Sequence, residues 1–468
     1  MTDTYEMIVL GGGTGGYSTA LRAAGLGMQV ALVERAKVGG TCLHWGCIPT
    51  KAFLQAAEVA EHAQHAGDYG VKATFEAVEM AAVLEYKRGV VDTNHKGLQM
   101  TLKGRGVDVI EGTGRVEPGR RVVVTTDEGE RTLEASRALV LATGSVPRDL
   151  PVAGAETDGE VVINSDHALY LDHVPERPIV IGAGAIGVEF SSVWNAFGSE
   201  EVTIVEALDG VVPNEDVDTQ KELAKQLKRR GITAHTGTKV VGVEKGEAGV
   251  RVTVDTGKGE QQLEGDVLMV AIGRRPVTEG LGYEEVGVRL DRGYVQIDEY
   301  CRPGPDGVYA VGDILPPSTL GLAHSSFQEG FLVAEHAAGE RVVPIDYHGV
   351  PRVTYSHPEV GSVGYNEQEL KESGVAYEVQ RYAFSHNARA MMMKESGHVK
   401  VLAAADGGKV LGVHIIGPKA TDLIAEGQLI YNWEALPTDV GQFIHPHPTL
   451  SEAVGEAHLA LAGKALHG

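Results

Sequence analysis

The sequence predicts an α/β protein, with two doubly wound halves built on parallel sheets and a separate α+β C-terminal third. Three observations carry this. A strand, a glycine cluster, a helix and a second strand open the chain; the same order recurs from Pro178; after about Asp346 it gives way to alternating strands and a helix. With 468 residues and 43 % hydrophobic content, the chain can bury several cores.

Met7 to Leu10 reads as a buried parallel strand, followed by Gly11, Gly13 and Gly16 in G-x-G-x-x-G spacing and by a helix from Tyr17 to about Gly25. A second strand, Gln29 to Val33, ends at Glu34. Each part has a task. Gly11 permits a tight turn, Gly13 admits a pyrophosphate, Gly16 lets helix and strand pack, and the acid can accept ribose hydroxyls. The unit therefore predicts a Rossmann-like dinucleotide site.

Directly behind it stands GGTCLHWGCIPTK, Gly39 to Lys51, which holds Cys42 and Cys47. Five residues of regular helix advance ~7.5 Å, too far for a disulfide, whose Cα atoms lie within ~7 Å. If the two bridge, the chain must be distorted there; if not, they are two thiols at a helix start. Gly46 makes distortion sterically cheap, and Pro49 suits the first turn of the helix that continues through Lys51. A close pair in a chain with only three cysteines points to redox chemistry rather than to a stapled secreted scaffold.

Helices are expected over about Thr50 to Ala66 and about Phe75 to Met100, with His65 and His95 as solvated surface groups. Strands follow at Val107 to Ile110, Arg121 to Thr125 and Ala138 to Leu141, the last running into ATGSVP, and Pro147 and Pro151 mark a linker. The second unit repeats the first: strand Ile179 to Ile181, Gly182, Gly184 and Gly187, a helix through Glu189 to Phe197, strand Val202 to Val205, and an acid at Glu206. A carboxylate there hydrogen-bonds the 2′-hydroxyl of NAD and repels the 2′-phosphate of NADP, so NAD is favoured. Strand-rich sequence to Ile272 ends at GRRP from Gly273, and GVYAVGD presents a further strand with Asp313 at its tip. Cys301 reads as structural or inert. The last third ends in HPHPTLSE, where His447 and Glu452 could form a base that titrates near neutrality. The expected domains are 1–150, 151–275, 276–345 and 346–468.

A net charge of −23 argues against a nucleic-acid surface and is compatible with docking to a basic partner. The first residues lack a signal-peptide pattern, and no stretch is apolar for about 18 residues. The expectation is a cytoplasmic protein with no membrane segment.

Taken together, GGTCLHWGCIPTK, both glycine fingerprints, ATGSVP, AIGRRP, GVYAVGD, the LAH of Leu322 to His324, VTYSHPEVGSVG, GVHIIGP and HPHPTLSE stand in the order of one family. Along nearly its whole length the chain resembles the pyridine nucleotide-disulfide oxidoreductases, and within them the branch that oxidises protein-bound dihydrolipoamide with NAD. The resemblance implies a homodimer with its active site shared between subunits, an FAD-binding first domain, an NAD-binding second domain, a central domain returning to the first, and a C-terminal interface domain. It assigns FAD to Gly11, Gly13, Gly16, Glu34, Lys51, Gly114, Thr143, Gly144, Ser145, Asp313 and Ala323, and NAD to Gly182, Gly184, Gly187, Glu206 and Gly273. Cys42 would exchange with substrate, Cys47 would touch the flavin, and Lys51 would pair with Glu189. His447 of the partner subunit, oriented by Glu452, would take the substrate proton, and the bond before Pro448 would be cis. The lipoyl domain and E2 core of 2-oxo acid dehydrogenase complexes are the implied partners. Thr50 and Pro446 depart from the commoner Ser and Ala.

Competing readings are a mycothione or glutathione-type reductase, disfavoured by Glu206, and mercuric reductase, disfavoured because no cysteine follows Cys301. A mainly structural docking subunit fits poorly with an intact set of Cys42, Cys47, Lys51, His447 and Glu452.

Overall fold

The apolar run Met7 to Leu10 pairs in parallel with Val30–Val33 on one side and Ala138–Leu141 on the other. All three runs lie inside, which is why they read as continuous hydrophobic sequence rather than as alternation. The computed structural model describes residues 2–246 and 249–467. Two compact units are formed, one from Met1–Ala52, Leu84–Arg148 and Arg274–Tyr347, the other from Phe53–Val83, Asp149–Gly273 and His348–Gly468.

The first unit holds a seven-stranded sheet in the order Asp108–Glu111, Val30–Glu34, Thr2–Leu10, Gly129–Leu141, Arg121–Thr126 and Thr113–Glu117, with Val308–Ala310 also pairing on Gly129–Leu141. Met7 and Val9 join one core, with Ala20, Val140 and Leu332; Ile8 and Leu10 join another, with Val122, Leu139 and Tyr283. Helix Thr14–Gly25 packs on helix Ala323–Ala338 at Gly330, where a Cβ would stand 2.9 Å from the Gly15 carbonyl. Cys301 lies inside this unit, its thiol pushed well up by burial, so its chemistry is suppressed.

The second unit contains a five-stranded parallel sheet, ordered Ile232–His235, Val202–Val205, Ile179–Ile181, Leu268–Val270 and Val162–Asn164. A three-stranded antiparallel sheet and a five-stranded antiparallel sheet accompany it, the latter ordered Arg352–Thr354, Glu359–Gly364, Val410–Gly417, His398–Ala404 and Tyr377–Ala383. Across that last sheet Arg352, Ser362, His414, Lys400 and Arg381 stand in register. Lys400 is buried and reaches Asp216, Asp218 and Glu367 at 2.9, 2.9 and 2.6 Å, so the charged row meets the N-terminus of helix Val217–Arg229.

Two expectations need correction. The second long helix runs Met80–Gly104, not from Phe75 to Met100, because residues 71–79 are largely exposed and Met80 is the first apolar residue able to anchor a helix in the core. His95 is not a solvated surface group. It is half-buried on that helix, its ring edge-on to His44 with centroids 4.8 Å apart.

Burial holds His398, His414 and His458 down to about 4. Unfolded histidine titrates near 6.5, so these three side chains stabilise the fold fully above that pH. The contribution drains away as pH falls from 6.5 towards 4, each unit being worth about 1.4 kcal/mol. Scanning calorimetry should therefore show the unfolding temperature falling steeply between pH 6.5 and 4; a flat profile there would contradict the burial argument.

Among the described residues no helix is long and apolar enough to cross a membrane, and no group of three or more potential ligands is arranged to hold a metal ion.

Candidate active site

The two glycine loops are built alike, for reasons visible in the backbone. Gly11 has φ +109° and Gly182 φ +105°, left-handed values at which a Cβ would lie 2.2 Å from the Ala142 carbonyl and 2.5 Å from that of Ala271. At Gly16 and Gly187 a Cβ would meet the carbonyl of the first glycine, 1.8 and 2.0 Å away. At Gly13 and Gly184, the N-caps of helices Thr14–Gly25 and Ala185–Phe197, a Cβ would meet nothing within 4 Å. Each loop is thus closed at its first and third glycines and open at the second, where a pyrophosphate would approach the helix N-terminus. The strand-tip acids match too. Glu34 accepts from the N–H groups of Gly12 and Ala36, both at 2.7 Å, and Glu206 from those of Ala183 and Leu208, at 2.7 and 2.8 Å. A carboxylate with one bond per oxygen keeps lone pairs for ribose hydroxyls, so both loops fit a dinucleotide.

The cysteine segment is pressed against the first of these loops. Gly39 and Gly40 are both left-handed, and a Cβ on Gly40 would stand 2.7 Å from the Gly13 Cα. Helix Gly40–His44 then stops, and Cys47–Gln64 begins a new one after Trp45 and Gly46. The chain therefore has the distortion that two communicating cysteines require. Cys42 is hydrogen-bonded to Cys47, and this contact, with burial, pushes its thiol well up, against the pull of the Lys51 ammonium. A thiol held in that way needs a base before it can react. His44 Nε2 lies 3.0 Å from the Val38 carbonyl, fastening one end of the turn to the other.

Beside it, Asp313 accepts from the Ser145 hydroxyl at 2.5 Å. Burial pushes the Asp313 carboxyl up, opposed by that hydrogen bond and by the Arg274 charge. Thr143 Oγ1 donates to the Val277 carbonyl at 2.6 Å, and Gly144 takes φ +70°. Ala323 opens helix Ala323–Ala338, and Gly114 is buried in its strand, where a Cβ would strike Leu10. Asp313 and Ser145 thus form a polar cluster that Arg274 ties to the cysteine turn through Thr41.

In the second unit Glu189 is buried and accepts from the Tyr355 N–H at 2.9 Å, and Gly273 takes φ +109° in open space. His447 Nδ1 lies 2.8 Å from Glu452 Oε1, and the His447–Pro448 bond is cis. Burial tends to raise the Glu452 carboxyl, but the Thr449 N–H and His447 outweigh it and hold it below its usual range. The ring is thereby oriented by Glu452, and its side chain is 76 % exposed.

The family model described as pyridine nucleotide-disulphide oxidoreductase matches residues 5–330, and the model of that family's dimerisation domain matches residues 350–458. The chain belongs to the pyridine nucleotide-disulphide oxidoreductase family. It is 39 % identical to dihydrolipoyl dehydrogenase of Bacillus subtilis, over all of both chains, and 40 % identical to that of Thermus scotoductus, over 99 % of each. Among solved structures it resembles LpdA of Mycobacterium tuberculosis, with a TM-score of 0.90 and 29 % identity over 98 % of this chain and 100 % of that one.

For an oxidoreductase of this family, two side chains stand out that the linear reading did not single out. Tyr17, on the helix after the first glycine loop, is held up at about 12 by burial and by Cys42 and Cys47. Arg274 donates to the Ser145 hydroxyl at 2.7 Å and to its carbonyl at 2.8 Å, with Thr41 Oγ1 at 3.4 Å, so one guanidinium spans the Asp313 cluster and the cysteine turn. Arg274 lies within the quoted AIGRRP motif, but nothing in that motif says which residues it meets.

Proposed function

We propose that this chain oxidises dihydrolipoamide to lipoamide and reduces NAD+ to NADH, with FAD as its resident cofactor. The observation that carries the reading is the hydrogen-bonded Cys42–Cys47 pair on an interrupted helix packed against a dinucleotide loop. Full-length relatives at 38 to 40 % identity bear the corresponding name.

FAD would be held by Gly11, Gly13, Gly16, Glu34, Gly114, Thr143, Gly144, Ser145, Asp313 and Ala323, with Lys51 at its reactive edge; NAD by Gly182, Gly184, Gly187, Glu206 and Gly273. When bound, FAD supplies two-electron storage between the dithiol and the nicotinamide. The thiol steps belong to the chain itself. His447 of the partner subunit, oriented by Glu452, removes a proton from a substrate thiol. The substrate thiolate attacks the Cys42 sulfur of the oxidised pair, the Cys42–Cys47 bond breaks, and Cys47 leaves as thiolate. The second substrate thiol, deprotonated in turn, attacks the first substrate sulfur and releases Cys42, which recovers a proton. Lipoamide and an enzyme dithiol result, two electrons having passed from substrate to protein. Residues 1–150, 151–275, 276–345 and 346–468 serve as FAD, NAD, central and interface domains of a cytoplasmic homodimer that serves 2-oxo acid dehydrogenase complexes through the lipoyl domain and E2 core.

The test is turnover of the purified holoenzyme with dihydrolipoamide and NAD. Absence of NADH formation, with rapid reduction of glutathione or mycothiol disulfide by NADPH, would replace this reading. Glu206 gives a second expectation. Wild-type enzyme should prefer NAD to NADP by roughly a hundredfold or more, the size of a like-charge clash of several kcal/mol, and Glu206→Ala should narrow that ratio at least about tenfold. Equal kcat/KM values for the two nucleotides in wild type would refute the role of the carboxylate.

A further inference from the structure

Two residues before His447 a second imidazole is built into the same segment in a different manner. His445 Nε2 lies 2.7 Å from Glu426 Oε1, and its side chain is 13 % exposed. Its ring occupies the space left by Gly455: a Cβ there would stand 2.5 Å from His445 Nδ1. His445 is thus held by two helices at once, Ala420–Asn432 through Glu426, and Glu452–Leu461, whose first residue is the carboxylate partner of His447.

The charged and titratable groups facing it are Glu426 from the first helix and Glu452 and His458 from the second. Glu426 holds the His445 ring above its ordinary range, opposed by burial and aided by Glu452; His458 is kept neutral by its own burial. Both carboxylates thus favour the charged form of the His445 ring. Glu452, in turn, is drawn down by both histidines as well as by the Thr449 amide. One carboxylate consequently serves an exposed imidazole that it hydrogen-bonds and a buried one whose charge competes for the same field.

We propose that His445, clamped by Glu426, is a positioning residue that fixes the segment carrying His447 and limits how strongly Glu452 retains a proton on that ring. This rests on His447 acting as the base. A base must give up its proton between turnovers, and positive charge on the clamped ring behind its carboxylate makes that release easier.

The experiment is the pH dependence of kcat/KM for dihydrolipoamide in holoenzyme carrying His445→Gln, Glu426→Gln, or both. Glutamine at 445 can still donate to Glu426 but carries no charge. Its acid limb should move to higher pH by roughly half a unit, a partly screened charge interaction. Glu426→Gln, which removes the carboxylate that keeps His445 charged, should move the limb the same way, and the double variant no further than His445→Gln alone. A folded single variant whose rate falls equally at every pH, with the limb unmoved, overturns the proposal. Should His445→Gln fail to fold, the Glu426→Gln profile decides alone. The parent reading fails separately: a His447→Gln enzyme with its acid limb and rate intact would remove the base itself, whatever His445 does.

Discussion

Replacing either Cys42 or Cys47 by Ser is expected to lower dihydrolipoamide-dependent NAD reduction at least about a thousandfold, as loss of a covalent nucleophile does elsewhere. The two variants should fail differently. Without Cys42 no mixed disulfide with substrate can form. Without Cys47, Cys42 has no internal partner to oxidise it, so it remains a lone thiol that an external disulfide can trap. Mass spectrometry after exposure to oxidised lipoamide should show the trapped adduct in Cys47→Ser and not in Cys42→Ser. The geometry underlies this asymmetry: Cys42 ends up in a short helix closed by Trp45, whereas Cys47 begins the long helix that carries Lys51. Turnover above about one per cent in either variant would be incompatible with a dithiol relay. Cys301 offers no substitute, being buried with its thiol pushed well up.

The second large effect is expected at His447. General-base assistance is typically worth about 10²- to 10⁴-fold, and His447→Gln should lose about that factor in the dithiol half-reaction followed by stopped flow. NADH oxidation by artificial acceptors, which needs no substrate thiol deprotonated, should fall much less. Equal loss of both activities would contradict the role. Glu452→Gln should cost less, since the imidazole survives but loses its orientation. The folded-state Glu452 carboxyl lies below its unfolded value, so the contact contributes fully above the ordinary carboxylate range and is lost only as pH falls through the depressed value.

Much of this site is legible in the linear sequence because its constraints are local. Gly11 and Gly16 answer to each other five residues apart, since a Cβ on one would strike the carbonyl of the other. The same holds for Gly182 and Gly187, and the acids at Glu34 and Glu206 close loops whose residues lie little more than twenty positions away. The interrupted helix between Cys42 and Cys47 is likewise dictated by geometry within one short segment. His447 and Glu452 are five residues apart, near enough for spacing to suggest the pair that the structure contains.

Other features depend on partners that spacing cannot reveal. His95 looks like one more polar residue on an exposed helix until the chain brings it against His44, 51 positions earlier, as 95 − 44 gives. Lys400 stands in strand His398–Ala404, yet it is buried because Asp216, Asp218 and Glu367 converge on it from distant segments. Arg274 spans Ser145 and Thr41 only after the first unit has folded.

By itself, then, the amino-acid order determined the repeated dinucleotide loops, the placement of a thiol pair behind the first of them and the candidate base near the C-terminus, because each is a matter of backbone sterics or short spacing. Tertiary structure alone decided which charges are buried, that Cys47 and burial push the Cys42 thiol up, and that His445 shares the field of Glu452 with His447. Those outcomes depend on desolvation and on long-range carboxylate partners, and neither is encoded in any local pattern.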